Sequence, residues 1–354
     1  MGTAAPAAAH TVGGVNATNY RTTIRSVTPA DPHVSVRVVD NGDRLELTNT
    51  GRQDVVVLGY DGEPYLRVGP RGVFENARSP ARYLNRVRRD PEPAPKSADP
   101  TAPPRWQRIG SGDSVAWHDH RAHWMGRTDP PVVRRAPGEE HLIQRFRIEL
   151  RAGDQTLVAR GDLRWIPGPS PWPWIAIAVV LAVATVVGAR TRRAAAVVAG
   201  VLGVALAASL LHAVGAWTYP TAGLAKRSGD ALPTVGAIGL GLVALVQLRR
   251  RGLRTAAPLL VFAGLFVGIA IGLADMSAFW KSQLPTDLDP AVDRLTIALA
   301  LGGGFGVAGG AARYIAERRP GPGTPRTPDA GAGPTATAPG SSESENDSHS
   351  MMQG

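Results

Sequence analysis

The chain contains no cysteine among its 354 residues, which excludes disulfide bonds, thiolate metal sites, iron–sulfur clusters and cysteine nucleophiles. Lysine is also scarce, so arginine carries nearly all of the positive charge. The lysines are Lys96, Lys226 and Lys281. Any metal site in this chain must therefore be built from histidine, carboxylate, methionine or backbone ligands.

Catalytic signatures are absent as well. The sequence has no Gly-x-Ser-x-Gly elbow, no His-Glu-x-x-His helix and no phosphate-binding loop, so we do not expect an enzyme. The net charge of +10 is compatible with nucleic-acid binding. Many arginines, however, form short clusters beside apolar segments, and membrane topology explains them better. We therefore expect a lipid bilayer as a partner and no nucleic acid.

Apolar residues crowd into the second half of the chain. A helix needs about 20 apolar residues to cross the hydrocarbon core, with about 17–25 tolerated. Five segments approach or reach this length, which predicts a five-helix transmembrane bundle over residues 169–314. The segments are Trp172–Gly188, Ala194–Trp217, Leu232–Leu248, Ala256–Ala274 and Leu295–Ala312.

Arginine clusters follow the first, third and fifth apolar segments. Arginine-rich short loops stay in the cytoplasm, and the loops at the opposite ends are longer and nearly balanced in charge. The pattern predicts a multi-pass protein of the cell membrane, with its N-terminal half extracytoplasmic and its C-terminus cytoplasmic. The clusters contain Arg190, Arg192, Arg193, Arg249, Arg250, Arg251, Arg254, Arg313, Arg318 and Arg319.

The first residues, "MGTAAPAAAHTVGG", resemble the small-residue end of a signal peptide. We interpret residues 1–16 as the remnant of such a peptide with a linker, and we expect the mature chain to begin near His10. At the other end, residues 315–354 are rich in proline, glycine, serine, threonine and acids, which predicts a disordered cytoplasmic tail.

Residues 17–168 show short alternating runs separated by turns. "HVSVRVVDNGDRLELTN" reads as two strands joined at Asn41-Gly42, which is a strong hairpin signal. No stretch of this half has sustained helical periodicity. The fold class that we expect is thus an extracytoplasmic antiparallel β-sandwich of about seven strands, immunoglobulin-like, followed by membrane helices.

The segment "AWHDHRAHWMG" holds three of the chain's eight histidines. In extended chain, His118 and His120 point to one face, and a turn brings His123 toward them. Imidazole is the commonest protein metal ligand and suits copper, zinc or nickel. Met125 and Asp119 are further candidate ligands, or Asp119 orients a ligand histidine from behind. The alternative is a polar aromatic rim that contacts headgroups or a partner.

Several stretches carry a resemblance to known families. A mature chain that begins at His10 chelates Cu(II) through its terminal amine and imidazole. Together with "DHRAH", this resembles the CopC copper-resistance proteins, exported β-sandwiches whose CopD partners span the membrane several times. The whole chain resembles a family of exported-domain, five-span proteins of high-GC Gram-positive bacteria. That resemblance rests on "LTNTGRQDVVVLGYDGEPYLRVGPRGVFEN", "SPARYLNR", "WHDHRAHWM" and "GPSPWPW".

The resulting hypothesis is that the exported domain binds a transition metal, copper first and zinc second, for envelope metal homeostasis or delivery. An envelope copper chaperone or acceptor protein is then the expected partner. The first alternative is a non-metal interaction or scaffold protein, and the second is a small-solute or metal transporter. His212, Asp275 and Met276 lie near the outer ends of their segments and are weaker candidates, either for a transfer path or for interfacial groups.

Overall fold

The computed structural model describes residues 16–86, 93–221 and 224–317. These residues belong to one compact unit, in which an antiparallel β region is followed by apolar helices. His10, the expected mature start and the tail from Arg318 onward lie outside the described residues.

Ten β-strands occur in this described part of the chain. They are β1 (Tyr20–Thr28), β2 (Val34–Val39), β3 (Arg44–Asn49), β4 (Val55–Leu58), β5 (Pro64–Gly69), β6 (Gly72–Asn76), β7 (Trp106–Gly110), β8 (Ser114–Trp117), β9 (His141–Ala152) and β10 (Gln155–Trp165). A seven-stranded sheet has the order β1-β10-β9-β4-β5-β6-β7, and a three-stranded sheet has the order β2-β3-β8. All pairings between these strands are antiparallel.

The expected hairpin at Asn41-Gly42 is confirmed. Strands β2 and β3 pair from Val34 opposite Asn49 to Val39 opposite Arg44. The turn between them needs the left-handed region, with φ of 52° at Asn41 and 91° at Gly42. Asparagine and glycine adopt this region at low cost, which explains why the sequence signal was reliable here.

One hydrophobic core lies between the two sheets. It combines Leu45 and Leu47 of the small sheet with Ile148, Leu150 and Leu157 of the large sheet. Alternate residues of each strand point inward, as a sheet with one buried face requires. The antiparallel β region is therefore confirmed, whereas an immunoglobulin-like arrangement of about seven strands is not. The large sheet is wider than expected because β5, β6 and β7 extend it past β4.

Two short helices interrupt the β region, α1 (Pro80–Leu84) and α2 (Pro131–Arg135). No helix was expected there, because a five-residue helix shows no periodicity. Both begin at a proline in the first turn, where the missing N–H costs nothing. Four longer helices follow: α3 (Trp172–Gly188), α4 (Ala194–Thr218), α5 (Leu224–Val267) and α6 (Pro290–Ala316).

The expected number of membrane-spanning helices needs correction. Within the described residues, three helices are long and apolar enough to cross a membrane, and not five. They are Ala194–Thr218, Ala231–Trp280 and Pro290–Ala316. The apolar helix α3 is shorter, with 17 residues. Two predicted segments, Leu232–Leu248 and Ala256–Ala274, lie within the 50-residue stretch, in which a π-helical turn, Gly268–Leu273, follows α5. This stretch is non-helical at Gly252, with φ 72° and ψ 173°.

Helix α6 packs against the three other long helices through its glycines. A Cβ atom on Gly302 would lie 2.3 Å from the carbonyl oxygen of Ala178 in α3. A Cβ on Gly304 would lie 2.5 Å from the backbone nitrogen of Gly268, at the end of α5. Backbones approach this closely only where side chains are absent, which is the usual device of helix packing in lipid.

Hydrogen bonds connect the β region to two loops between the long helices. Thr18 and Gln283 exchange two backbone hydrogen bonds of 2.9 and 2.8 Å. Ser282 donates its backbone N–H to Asn19 and its hydroxyl to the carbonyl of Ile166. From the other loop, Pro220 accepts a hydrogen bond from the backbone N–H of Asp40. Both of the loops that the arginine pattern places outside thus contact the β region.

Candidate functional site

The histidine segment begins where β8 ends at Trp117, as the sequence predicted for a strand end. Asp119 then begins a 3-10 turn, His120–Ala122, by accepting a hydrogen bond from the backbone N–H of Arg121. The chain leaves this turn in extended conformation at His123. The turn brings His123 back toward His118, as the sequence analysis expected.

Asp119 is fully buried and binds several donors at once. Its carboxylate accepts from the indole N–H of Trp117 at 2.9 Å and from the guanidinium of Arg121 at 2.9 and 2.8 Å. Arg121 in turn donates to the carbonyl oxygens of Leu58 and Gly59. Asp119 therefore fixes the turn and joins it to β4. It does not accept the N–H of a histidine in these contacts.

Tyr60 packs against the ion pair between Asp119 and Arg121. The Arg121 guanidinium lies 4.9 Å from the centre of the Tyr60 ring, and the Tyr60 hydroxyl accepts the backbone N–H of His120. Burial, reinforced by the charge of Asp119, raises the pKa of Tyr60 well above its usual value. Burial alone would lower the pKa of Arg121, but Asp119 raises it. The Tyr60 phenol therefore stays neutral and the Arg121 guanidinium stays charged across the physiological pH range.

The three imidazole rings lie together. His118 and His123 are stacked, with ring centroids 4.1 Å apart and planes 4° from parallel. His118 and His120 meet edge to face at 5.3 Å. The Nδ1 atom of His118 lies 2.8 Å from the carbonyl oxygen of Asp43. A carbonyl only accepts, so Nδ1 donates, and a neutral ring then presents Nε2 as its acceptor.

The described residues contain no group of three or more histidine, aspartate, glutamate or cysteine side chains arranged to hold a metal ion. The stacking explains this result for the histidines. The lone pair of an imidazole nitrogen lies in the ring plane, so the lone pairs of two parallel rings do not converge. A common ion at about 2.0–2.1 Å from each nitrogen requires one ring to rotate.

A cavity of about 480 Å³ reaches this cluster. His123 and Trp124 line one side of it, Asp43 lies on another, and Lys281 approaches from the segment beyond α5. The cavity therefore lies directly beside His123, whose side chain is largely buried. Met125 is half-buried two residues further along. His10, the remaining candidate ligand, lies outside the described residues.

A second polar group lies between the helices. The Nδ1 atom of His212 is 2.8 Å from Asp293, and its Nε2 atom is 3.4 Å from Asp275. These three residues join α4, α6 and the segment that follows α5. Next to them, the buried Arg294 donates to the carbonyl oxygens of Ala278 and Lys281.

Sequence reasoning found His212 and Asp275 but missed Asp293 and Arg294. It placed the start of the last span at Leu295, which left both residues in a loop. The signal was present in Asp289-Pro290, because Asp289 caps the N-terminus of α6 and proline occupies its first turn. In a helix that starts at Pro290, the side chain of Asp293 points toward His212.

Comparison with protein-family models, curated proteins and solved structures finds no match for this chain. The resemblance to CopC and CopD and to the five-span family therefore stays a prediction.

Proposed function

We propose that the chain is an integral membrane protein whose β region lies outside the cytoplasm and whose C-terminus lies inside. The arginine clusters support this orientation, since Arg190, Arg192 and Arg193 follow the end of α3, whose start adjoins the β region, and Arg313 lies in the last turn of α6. The contacts of Pro220, Ser282 and Gln283 with the β region support it independently. They join the two loops that have few arginines to the half of the chain that the proposal places outside.

We also propose that α5 reverses direction at Gly252, so that the long apolar stretch forms two helical arms. The break at Gly252 supports a reversal, because it separates two helical arms. Gln247 donates its side-chain amide to the carbonyl of Thr255 at 3.3 Å. In a straight helix, eight residues span about 12 Å, which is too far for this bond. The two arms then enclose the arginines of "RRRGLR" on the cytoplasmic side.

The orientation is tested by single-cysteine labelling, for which the cysteine-free chain is suited. We expect a membrane-impermeant maleimide to label Arg52→Cys in intact cells, because Arg52 is exposed in the β region. We expect Arg251→Cys to be labelled only after the cells are permeabilised. Labelling of Arg251→Cys in intact cells together with protection of Arg52→Cys would reverse the orientation.

For the histidine site, we propose that it binds a transition metal ion, copper first and zinc second, in envelope metal homeostasis or delivery. The observation that carries this proposal is the contact of His118 Nδ1 with the carbonyl of Asp43. Ligand histidines characteristically donate their second ring nitrogen to a carbonyl or carboxylate, which directs the other nitrogen at the metal. The neighbouring cavity gives an ion access to His123. Rotation of one stacked ring completes a site with two or three imidazole ligands.

The test titrates Cu(II) and Zn(II) into the purified full chain in detergent, by calorimetry and by electron paramagnetic resonance for copper. We expect one ion per chain with a submicromolar dissociation constant. The variant in which His118, His120 and His123 are all alanine should lose this binding, and His33→Ala should keep it. His33 is an exposed histidine of the β region, which makes it a matched control. Equal affinity in both variants would contradict the metal proposal.

A second candidate is a non-metal interaction module, and the parallel stacking of His118 on His123 favours it. In this function the rings build the wall of the cavity and an envelope partner docks there. Binding of neither ion more tightly than micromolar, with the cluster still required for stability, would support this candidate. A thermal melt of the same three proteins measures that second property.

A further inference from the structure

The outer face of β1, β10 and β9 is unusually rich in arginine. Phe146, Ile148 and Leu150 of β9 point into the core, so the residues between them point away from it. The neighbouring strands alternate in the same way. Seven arginines share this surface, which we call the arginine face: Arg21, Arg25, Arg145, Arg147, Arg151, Arg160 and Arg164.

Carboxylates on the arginine face are fewer than the arginines. Asp162 pairs with both Arg25 and Arg164, and Glu149 pairs with Arg147. Glu140 lies at the edge and accepts from Arg164 at 2.9 Å. Burial would raise the pKa of Asp162, but the two guanidinium groups hold it below its usual range. Three carboxylates among seven arginines leave the face strongly cationic.

Two of the arginines oppose each other directly. Arg147 of β9 is the register partner of Arg160 of β10. Like charges in this position destabilise a pair of strands unless a counter-charge lies between them. A depression of about 510 Å³ occupies the same place, and its lining includes Arg25, Arg145 and Arg164 as well. The surface therefore offers a concave site with a local excess of guanidinium groups.

We propose that the arginine face binds an extended chain of phosphate groups. A guanidinium binds phosphate oxygens through two parallel hydrogen bonds, which makes arginine the preferred side chain for this anion. Adjacent strands are about 4.8 Å apart, so one phosphate reaches both Arg147 and Arg160. Arg151 is four residues from Arg147, or about 13 Å along the strand, so it needs another phosphate group. Repeated phosphates on one polymer match this arrangement, and a single phosphate ion does not.

The experiment uses the full chain in nanodiscs of neutral phosphatidylcholine and inorganic polyphosphate as the probe, with fluorescence anisotropy as the measurement. We expect binding that weakens as salt increases, because each contact releases counterions. The double variant Arg147→Gln/Arg160→Gln should bind about tenfold more weakly, with a log–log salt slope smaller by about 1.4. The control variant Arg134→Gln/Arg135→Gln removes two exposed arginines of α2 and should change the affinity less than about twofold. Orthophosphate should not compete at equal phosphate concentration.

Three results would overturn the proposal. One is the absence of polyphosphate binding by the unaltered chain at about 0.1 M salt, where the Debye length is about 10 Å. Another is an equal loss in the two double variants, which would indicate binding elsewhere. The third is binding of anionic phosphatidylglycerol vesicles without binding of polyphosphate, which would make the face a membrane contact. Thermal midpoints of both variants verify folding, and we expect the removal of the Arg147–Arg160 repulsion to leave stability intact.

Discussion

Replacing Asp119 by alanine is expected to lower the free energy of unfolding by about 3 kcal/mol, because it leaves the Arg121 guanidinium inside the protein without its counter-charge. The substitution also removes the acceptor of the Trp117 indole N–H. Urea unfolding of the full chain in mild detergent, followed by tryptophan fluorescence, measures the change. The affected transition should be the one in which the β region unfolds.

Two further variants test whether the unpaired charge of Arg121 causes this loss of stability. Asp113→Ala removes an exposed carboxylate from the turn before β8, and we expect it to change stability by less than about 0.5 kcal/mol. Combining Asp119→Ala with Arg121→Met should recover part of the loss, because no buried charge is then left unpaired. A loss of copper binding with no loss of stability in Asp119→Ala would instead make this residue a metal ligand.

Replacing Gly304 by alanine is expected to destabilise the helical part by about 1–3 kcal/mol, because the added methyl group meets backbone atoms that do not move aside. Its Cβ would lie 2.5 Å from the nitrogen of Gly268 and 2.7 Å from the carbonyl oxygen of Gly264. The measurement is the thermal or sodium dodecyl sulfate-induced unfolding of the protein in detergent micelles. Gly302→Ala, which would contact Ala178, should behave in the same way.

The matched control for this prediction is Gly200→Ala in α4. A Cβ on Gly200 meets no atom within 4 Å. Because alanine favours helix more than glycine, we expect this change to be neutral or to stabilise the protein by about 0.5–1 kcal/mol. Opposite signs at Gly304 and Gly200 are the expected result. Equal effects would mean that the glycines of α6 serve a purpose other than close packing.

The sequence predicted those parts of the fold that depend on local chemistry. The Asn41-Gly42 turn, the alternation of β9 and β10 and the apolar helices all follow from neighbours a few residues apart. The two sheets of ten strands did not follow, because strand order depends on pairings between distant residues such as those of β4 with β9. The break at Gly252 lies between the third and fourth apolar segments, where the arginine-rich stretch predicted a loop.

In the candidate site, too, local features were predicted and contacts between distant residues were not. The grouping of His118, His120 and His123 was predicted, because all three lie within one short segment. Their surroundings were not predicted, because Asp43 and Tyr60 are distant in the chain and reach the cluster only through the sheet pairing. The role of Asp119 as a metal ligand or orienting group stays a prediction. Asp119 accepts hydrogen bonds from its near neighbours Trp117 and Arg121.

The hydrogen bonds between the β region and the segment Ser282–Gln283 fix the position of the β region relative to the helices. Because two loops are hydrogen-bonded to it, the β region does not rotate freely relative to the helices. In the proposed orientation, the cavity next to His123 therefore keeps a constant height and angle over the bilayer.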